Sequence, residues 1–151
     1  QGGRLRVPGA SSGPAEAPRI AVPEPVSDYV AEVRVFGAVA DGTRSGILLF
    51  QDDQSYLGVV KTKGRSGEMA QVFTQAGDGY NAPLGKDVRF RLEKKGPYYT
   101  VYSWDAGRND WVQLDRLQPG WNEGAARTIG LVAFGGGSPA EFDEFALNVA
   151  P

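Results

Sequence analysis

The 151-residue sequence contains no cysteine and no histidine. Without cysteine the chain has no disulfide framework, no thiolate zinc site and no cysteine nucleophile. Without histidine it lacks the usual general base at neutral pH and the commonest transition-metal ligand, which excludes Ser-His-Asp hydrolysis and His-based metal catalysis. Oxygen ligands remain, so the composition still permits a calcium site.

The sequence also has little net charge and no long apolar run. Its 16 lysines and arginines are nearly balanced by 18 aspartates and glutamates, which gives a formal net charge of -2. A balanced surface has no basic field to attract a nucleic-acid backbone or an anionic membrane. No run of eighteen apolar residues is present. We therefore expect neither a nucleic-acid partner nor a membrane span.

Glycine and proline are abundant, with 21 and 10 residues respectively. This composition is typical of many short strands joined by tight turns. Residues 29–36 alternate in the period of a half-buried strand, and further short strands with turn signals follow at regular spacing. The pattern predicts an all-β fold, a two-sheet antiparallel β-sandwich. We expect one domain over residues 1–151, with a short first strand and a Pro/Gly/Ala-rich connection in 1–28 and the main sandwich in 29–149.

Three segments carry a resemblance to a known group of domains: residues 45–57 (SGILLFQDDQSYL), residues 102–111 (YSWDAGRNDW), and residues 129–134 with 140–145 (IGLVAF and AEFDEF). Together they resemble the concanavalin A-like jelly-roll domains, laminin-G-like in type, that are appended to bacterial glycoside hydrolases and related secreted proteins. The resemblance covers about residues 29–149 and departs from the family pattern at residues 105–107, where an alanine lengthens a tight Asp-Gly turn. It implies a jelly roll and an extracellular or cell-envelope location.

The carboxylates near the C-terminus test whether the resemblance extends to the glucanases of this fold, which use a Glu-x-Asp-x-Glu strand. Here Glu141 and Asp143 can share a face, but the spacing predicts that Glu144 points to the other. We therefore expect no enzyme activity and no required cofactor. Asp143 is expected to cap a turn or to help hold a structural calcium, as in some related sandwiches.

Alternation in residues 88–104 predicts a polar and aromatic surface. If the apolar positions of this hairpin face the core, the intervening residues share the outer face. Those residues are Arg89, Arg91, Tyr98, Thr100, Tyr102 and Trp104. Aromatic rings stack on sugars while arginines bind hydroxyl groups, so the surface suits a carbohydrate. The alternative is that these residues are ordinary strand residues with stabilising cross-strand pairs.

Other candidate residues lie outside that hairpin. Asp52 and Tyr56 are predicted at the rim of the same face, although a plain surface turn explains them as well. Trp121 follows Gln118-Pro119-Gly120 in a loop and is predicted to contact a ligand. For Trp111, the resemblance implies a place in the core.

These observations favour a non-catalytic carbohydrate-binding module that accompanies a secreted glycan-active or surface protein and binds a polysaccharide or oligosaccharide. The alternative is a structural or protein-interaction domain that packs against a neighbouring domain, such as a catalytic one. A glucanase-like glycoside hydrolase is disfavoured, because the acidic triad is mis-spaced.

Overall fold

The computed structural model describes residues 5–7, 19–36, 43–64, 67–121, 125–135 and 140–149. These residues form twelve strands. In chain order they are β1 Leu5–Val7, β2 Arg19–Pro23, β3 Tyr29–Phe36, β4 Arg44–Asp52, β5 Ser55–Gly64, β6 Gly67–Thr74, β7 Gly77–Pro83, β8 Val88–Lys95, β9 Tyr98–Asp105, β10 Asp110–Leu117, β11 Thr128–Phe134 and β12 Ala140–Val149.

The strands form two six-stranded sheets, and every neighbouring pair is antiparallel. Sheet A has the order β1-β12-β3-β8-β9-β10, and sheet B has the order β2-β11-β4-β5-β6-β7. This confirms the predicted all-β, two-sheet antiparallel sandwich. Strand β2 lies within the stretch predicted as a connection, whose residues 8–18 are outside the described part of the chain.

The core lies between the two sheets and follows the alternation of each strand. In β3, the side chains of Tyr29, Ala31, Val33 and Val35 are buried, while the residues between them are half-buried on the outer side. The facing positions of sheet B include Ile47 and Leu49 of β4, Leu57 of β5 and Leu131 of β11. Period-2 burial of this kind fixes the register of each strand, because a one-residue slip would expose the whole apolar set.

Sheet B also buries apolar side chains on its outer face. Since Ile47 and Leu49 face the core, Leu48 between them points outward, yet it is only 1 % exposed. This second cluster consists of Leu48, Val60, Phe73, Val132 and Phe134, with Phe50 and Tyr56 packed against it. The Phe73 ring lies over Gly58, where an added Cβ would approach the ring to 2.7 Å. The outer face of sheet B is therefore apolar near its centre, whereas that of sheet A is polar and aromatic.

A β-bulge in β12 corrects one expectation about the C-terminal carboxylates. The register with β3 shifts between Asp143 and Ala146, and Glu144 has a φ of 55°. The extra residue lets Phe142 and Phe145 both pack against the core although they are three positions apart. It also brings Glu144 within 3.7 Å of Arg34 on the outer side of sheet A, so the prediction that Glu144 points to the opposite face from Asp143 is wrong.

Candidate functional site

At one end of the sandwich, three core-facing residues of sheet A lie side by side. Tyr29 of β3 pairs with Lys94 of β8, and Lys94 pairs with Tyr99 of β9. Lys94 has the same strand parity as the buried Phe90 and Leu92, so its side chain leaves the sheet on the core side. Because the core ends here, Lys94 and Tyr99 line a cavity at this end of the sandwich, while Tyr29 is buried beside them.

This cavity, the end cleft, has a volume of about 760 Å³. It is within the range of pockets that hold small molecules in proteins. Its charged and aromatic lining residues are Glu24, Lys94, Tyr99, Trp121 and Arg127, and its prolines are Pro23, Pro25, Pro97 and Pro119. The strands β2, β8, β9, β10 and β11 all begin or end at this cleft, so residues far apart in sequence meet there.

Glu24 is the hub of a buried polar network beneath the cleft. Its Oε2 accepts hydrogen bonds from the hydroxyls of Tyr29 (2.8 Å) and Tyr99 (2.6 Å), and its Oε1 accepts one from Arg127 Nε at 2.7 Å. The Glu24 side chain is 5 % exposed and that of Arg127 is 11 % exposed. Arg127 also donates to Gln51 Oε1 at 3.1 Å. A buried ion pair is tolerated when further hydrogen bonds satisfy both partners, as they do here.

The network has a fixed protonation pattern near neutral pH. Burial, together with the charge and hydrogen bonds of Glu24, raises the pKa of both Tyr29 and Tyr99. For Arg127, burial acts to lower the pKa, but the hydrogen bond and charge of Glu24 outweigh it and raise the pKa above its ordinary value. The two tyrosines therefore stay protonated donors and Arg127 stays charged.

Trp121 forms the aromatic wall of the end cleft. Its ring centroid lies 6.5 Å from that of Tyr99 and 5.8 Å from the guanidinium carbon of Arg127. The ring is half-buried, packs partly against the core and also lines a smaller pocket of about 180 Å³ beside Leu117 and Gln75. The structure thus places the predicted loop tryptophan in the wall of a cavity.

The outer face of sheet A carries the hairpin residues that alternation predicted there. Val88, Phe90, Leu92, Tyr99 and Val101 are buried in the core, as expected for the opposite parity. The arginine–aromatic face consists of Arg89, Arg91, Tyr98, Tyr102, Trp104 and Trp111. Each arginine of this face lies near a ring, with distances from guanidinium carbon to ring centroid of 5.0 Å for Arg89 and Trp104 and 5.6 Å for Arg91 and Tyr102. Arg116 of β10 lies 4.0 Å from the Tyr98 ring.

Trp111 belongs to this outer face, and its expected place in the core is wrong. It pairs directly with Trp104 across the β9–β10 hairpin, so both side chains leave the sheet on the same side. Their ring centroids are 5.4 Å apart with an interplanar angle of 78°, an edge-to-face arrangement. Arg91 lies 5.8 Å from the Trp111 ring. The register of the β9–β10 hairpin therefore places Trp111 on the outer side of sheet A.

The charges of the arginine–aromatic face are paired within the sheet. Arg34 and Arg89 stand directly opposite each other, and Asp87 lies between them. Its Oδ1 accepts from Arg34 Nε at 3.2 Å and from Arg89 Nε at 3.0 Å, and its Oδ2 accepts from Arg89 at 2.8 Å. The hydrogen bond from Arg89, with the charges of both arginines, holds the pKa of Asp87 below its usual range despite partial burial. The carboxylate thus offsets a repulsive cross-strand pair.

Arg91 is held in the same way by two glutamates. Its guanidinium lies 3.5 Å from Glu32 and 3.6 Å from Glu93. The Tyr102 hydroxyl donates to Glu93 at 3.3 Å, and burial together with the charge of Glu93 raises the pKa of Tyr102. Guanidinium groups therefore lie near the ring faces and are ion-paired with carboxylates before any ligand is considered, although Arg91 Nε is buried without a hydrogen-bond partner.

Asp52 and Tyr56 do not join this face, because they belong to β4 and β5 of sheet B. Asp52 Oδ1 accepts from the Gln54 backbone N–H at 2.9 Å, which is the turn role that the sequence also allowed. Tyr56 packs against the outer apolar cluster, 6.1 Å from the Phe73 ring. The predicted ligand residues are thus divided among sheet A, sheet B and the end cleft.

Asp143 lies beside Arg34 and accepts a hydrogen bond from the Glu144 backbone N–H at 2.8 Å. In the part of the chain that the structure describes, no group of three or more acidic side chains is close enough to hold a metal ion. The turn-capping role expected for Asp143 therefore has a contact to support it, and the structural calcium stays a prediction.

Sequence reasoning missed Glu24, Lys94 and Arg127. Glu24 lies between two prolines in a stretch predicted as a plain connection, and no local pattern shows that it meets Arg127, which is 103 residues away. For Lys94 a signal was available, since its parity matches that of the apolar residues of β8. A lysine at a core-facing position of a strand end indicates a cavity or an ion pair.

No protein-family model matches the sequence, and no curated protein is similar to it. Solved structures are similar in fold. A xylan β-1,4-xylosidase from Bacillus halodurans C-125 superposes with a TM-score of 0.81 at 14 % identity, over 96 % of this chain and 32 % of the xylosidase. A functionally unknown protein from Saccharomyces cerevisiae gives 0.70 at 16 % identity, over 89 % and 75 % of the two chains. The exoplasmic/lumenal domain of VIP36, in a Ca²⁺/Man3GlcNAc-bound form, gives 0.59 at 10 % identity, over 98 % and 85 %.

These likenesses define a class of fold, the two-sheet antiparallel β-sandwich, and they are consistent with a concanavalin A-like jelly roll. The chain spans about a third of the length of the xylosidase that it matches. Among the residues described, none belongs to a helix that is long and apolar enough to cross a membrane.

Proposed function

We propose that this chain is a non-catalytic carbohydrate-binding module whose ligand site is the end cleft. The observation that carries the proposal is a cavity of about 760 Å³ that has the Trp121 ring in its wall and the Lys94 ammonium in its lining. Sugars present apolar C–H faces and hydroxyl groups, and protein sites bind them with one aromatic surface and a few polar groups. The end cleft combines an aromatic surface, Trp121, with a polar group, Lys94.

The end cleft suits a saccharide better than the arginine–aromatic face does. On that face the rings of Trp104 and Trp111 already lie near arginines, at 5.0 and 5.8 Å, and Arg89 and Arg91 are ion-paired. A sugar stacking there would have to displace existing contacts and leave charges unpaired, which costs free energy. Trp121 of the end cleft also lies near an arginine, Arg127 at 5.8 Å, but Arg127 is almost wholly buried in the Glu24 network, so a ligand can add contacts from the cavity without breaking that ion pair.

The roles of the carboxylates support a binding function. Glycosidases use two carboxylates on either side of the bond that they cleave. Glu24 is the one carboxylate among the described residues that line the end cleft, and it accepts three side-chain hydrogen bonds. Glu141, Asp143 and Glu144 belong to β12 in sheet A, and Glu144 is paired with Arg34. Binding in the end cleft is expected to need no cofactor.

The comparisons support a setting for the module. The xylosidase of similar fold is about three times as long as the matched part, and the VIP36 domain was solved with a bound glycan. We therefore propose that the module accompanies a glycan-active or surface protein, outside the cell or in the cell envelope, and brings that protein to a polysaccharide or oligosaccharide. A similar fold hosts many functions, so the site and not the fold carries this argument.

A second candidate function is a structural or protein-interaction domain that packs against a neighbouring domain. It is favoured by the arginine–aromatic face, which presents two tryptophans and several arginines on one sheet surface. Tryptophan, tyrosine and arginine are the residues that protein interfaces use most as anchors.

The two candidates are separated by a pair of tryptophan variants. We expect affinity electrophoresis against a broad panel of polysaccharides to show retardation of the wild type, loss of retardation for Trp121→Ala, and unchanged retardation for Trp104→Ala. Both tryptophans are half-buried, so the two variants are matched in chemistry and burial, and thermal melting checks that each is folded. Absence of retardation of the wild type by every polysaccharide in the panel, or loss of binding in Trp104→Ala alone, would overturn the proposal.

A further inference from the structure

Among the described residues, the lining of the end cleft carries an unbalanced positive charge. Its described lining contains one carboxylate, Glu24, and two cations, Lys94 and Arg127. Glu24 and Arg127 neutralise each other through a 2.7 Å ion pair in which both side chains are almost wholly buried. Lys94 is left as the charge that the cleft presents to a ligand.

The surroundings of Lys94 keep its ammonium available. Its Nζ donates one hydrogen bond, to the backbone carbonyl of Val26 at 3.2 Å, and no carboxylate pairs with it among the described residues. An ammonium has three donors, so two remain for a ligand. Its cross-strand neighbours Tyr29 and Tyr99 donate their hydroxyl hydrogen bonds to Glu24, so these hydroxyls do not compete with Lys94 for an anion.

We infer that the ligand of the end cleft is an acidic saccharide, whose carboxylate pairs with Lys94 while a ring face packs against Trp121. The inference rests on the end cleft being the carbohydrate site. A half-buried ammonium at the edge of an apolar cavity favours an anionic group over a hydroxyl, because a charge-assisted hydrogen bond is about twice as strong as a neutral one. A neutral glycan would leave the charge of Lys94 partly desolvated and unpaired.

The test compares glycans that differ only in their carboxylates. Oligogalacturonate and oligomannuronate are titrated by calorimetry beside their carboxyl-reduced neutral counterparts, at low and high salt. We expect the acidic oligomer of at least one pair to bind about tenfold or more tightly than its reduced form, a difference of about 1.4 kcal/mol. Its affinity is expected to fall as salt screens the charge.

A matched pair of lysine variants locates the charge. Lys94→Gln is expected to lower the affinity for the acidic oligomer about tenfold and that for the reduced oligomer by much less, because a glutamine amide can still donate a hydrogen bond to a hydroxyl group. Lys95→Gln is the control, because it makes the same charge change one residue further, on an exposed side chain that leaves the sheet on the outer side. The comparison between acidic and reduced oligomers needs no variant, so it stands even where Lys94→Gln is poorly folded.

The outcomes separate this inference from the proposed function. Equal or tighter binding of the reduced oligomers, or equal effects of the two lysine variants, overturns the acidic ligand while the end cleft remains a carbohydrate site. Binding to neutral polysaccharides alone in the broad panel likewise overturns the acidic ligand and leaves the end cleft as a carbohydrate site. Absence of binding to every acidic and neutral glycan overturns both.

Discussion

The end cleft and the arginine–aromatic face are built from the same residue types, but they differ in the space that they leave for a ligand. Each has a tryptophan, a tyrosine hydroxyl bound to a glutamate, and an arginine paired with that glutamate. In the end cleft the glutamate and arginine are almost wholly buried in the floor of an open cavity, which Lys94 and Trp121 also line. On the face, the glutamates and arginines are half-exposed on an open sheet surface and hold one another.

This difference shows that residue type alone does not define a binding surface. Alternation in β8 and β9 concentrates arginines and aromatic rings on one side of sheet A, and cross-strand pairing then joins them to Asp87, Glu32 and Glu93. At the strand ends, no further strand residue follows to fill the space between the sheets. The cavity that results, and not its composition, makes the end cleft the better ligand site.

The largest expected effect comes from breaking the hub of the cleft. Glu24→Gln removes the charge that pairs with the buried Arg127. Leaving a buried charge without its partner costs about 3–5 kcal/mol, and we expect a loss of that size in the free energy of unfolding. Urea denaturation followed by tryptophan fluorescence measures it. A loss below about 1 kcal/mol would show that the network is not the structural base of the cleft.

An intermediate effect is expected at Asp87 on the arginine–aromatic face. Asp87→Asn leaves Arg34 and Arg89 opposite each other without the carboxylate between them. Charged hydrogen bonds contribute about 1.5–3 kcal/mol, and partial solvent exposure reduces this, so we expect a loss of about 1–2 kcal/mol. Urea denaturation of the variant and the wild type at pH 7 measures the difference. An unchanged free energy of unfolding would contradict the bridging role.

The same substitution has a pH dependence with a defined sign. The pKa of Asp87 is lower in the folded state than in the unfolded chain, because Arg89 and Arg34 favour its charged form. Its contribution is therefore complete above the unfolded value of about 4 and is lost as the pH falls through the folded value. We expect the difference in stability between wild type and Asp87→Asn to be constant from neutral pH to about pH 5 and to shrink below about pH 4. A difference that grows as the pH falls would contradict this assignment.

The smallest effect is expected for the counterpart of Glu24 on the face. Glu93→Gln removes a carboxylate that also accepts from a tyrosine and pairs with Arg91, but the Glu93 and Arg91 side chains are each 27 % exposed. Half-exposed ion pairs contribute at most about 1 kcal/mol, so the loss should stay within that limit. The two glutamate variants are measured side by side by urea denaturation. Equal losses would remove the contrast between the two regions.

The sequence allowed much of the arginine–aromatic face to be predicted, because strand alternation is a local property. It placed Arg89, Arg91, Tyr102 and Trp104 correctly on one side of one hairpin. The wrong expectation for Trp111 came from the family resemblance, because the alternation within β10, with Leu114 in the core and Gln113 exposed, agrees with an outward Trp111. The bulge at Glu144 was missed because strict period-2 alternation was assumed across it, although the three-residue spacing of Phe142 and Phe145 breaks that period.

The end cleft was nearly invisible in the sequence for a different physical reason. Its residues come from the ends of strands in both sheets, and their meeting depends on strand order, which local patterns do not contain. Trp121 alone was singled out, as an aromatic residue in a loop that no packing pattern explained. Glu24, between Pro23 and Pro25, looked like any charge in a surface connection, and its burial at 5 % side-chain exposure follows from contacts with β3, β9 and Arg127.

The most direct test of the carbohydrate site uses the three tryptophans of the chain as built-in reporters. Trp104 and Trp111 lie on the arginine–aromatic face and Trp121 lies in the end cleft, so the three indole N–H signals in a ¹⁵N-correlated NMR spectrum sample both regions at once. During titration with a glycan that the module binds, the account predicts that the Trp121 indole signal shifts in proportion to saturation while the other two stay in place. Movement of the Trp104 and Trp111 signals with a stationary Trp121 signal would contradict it.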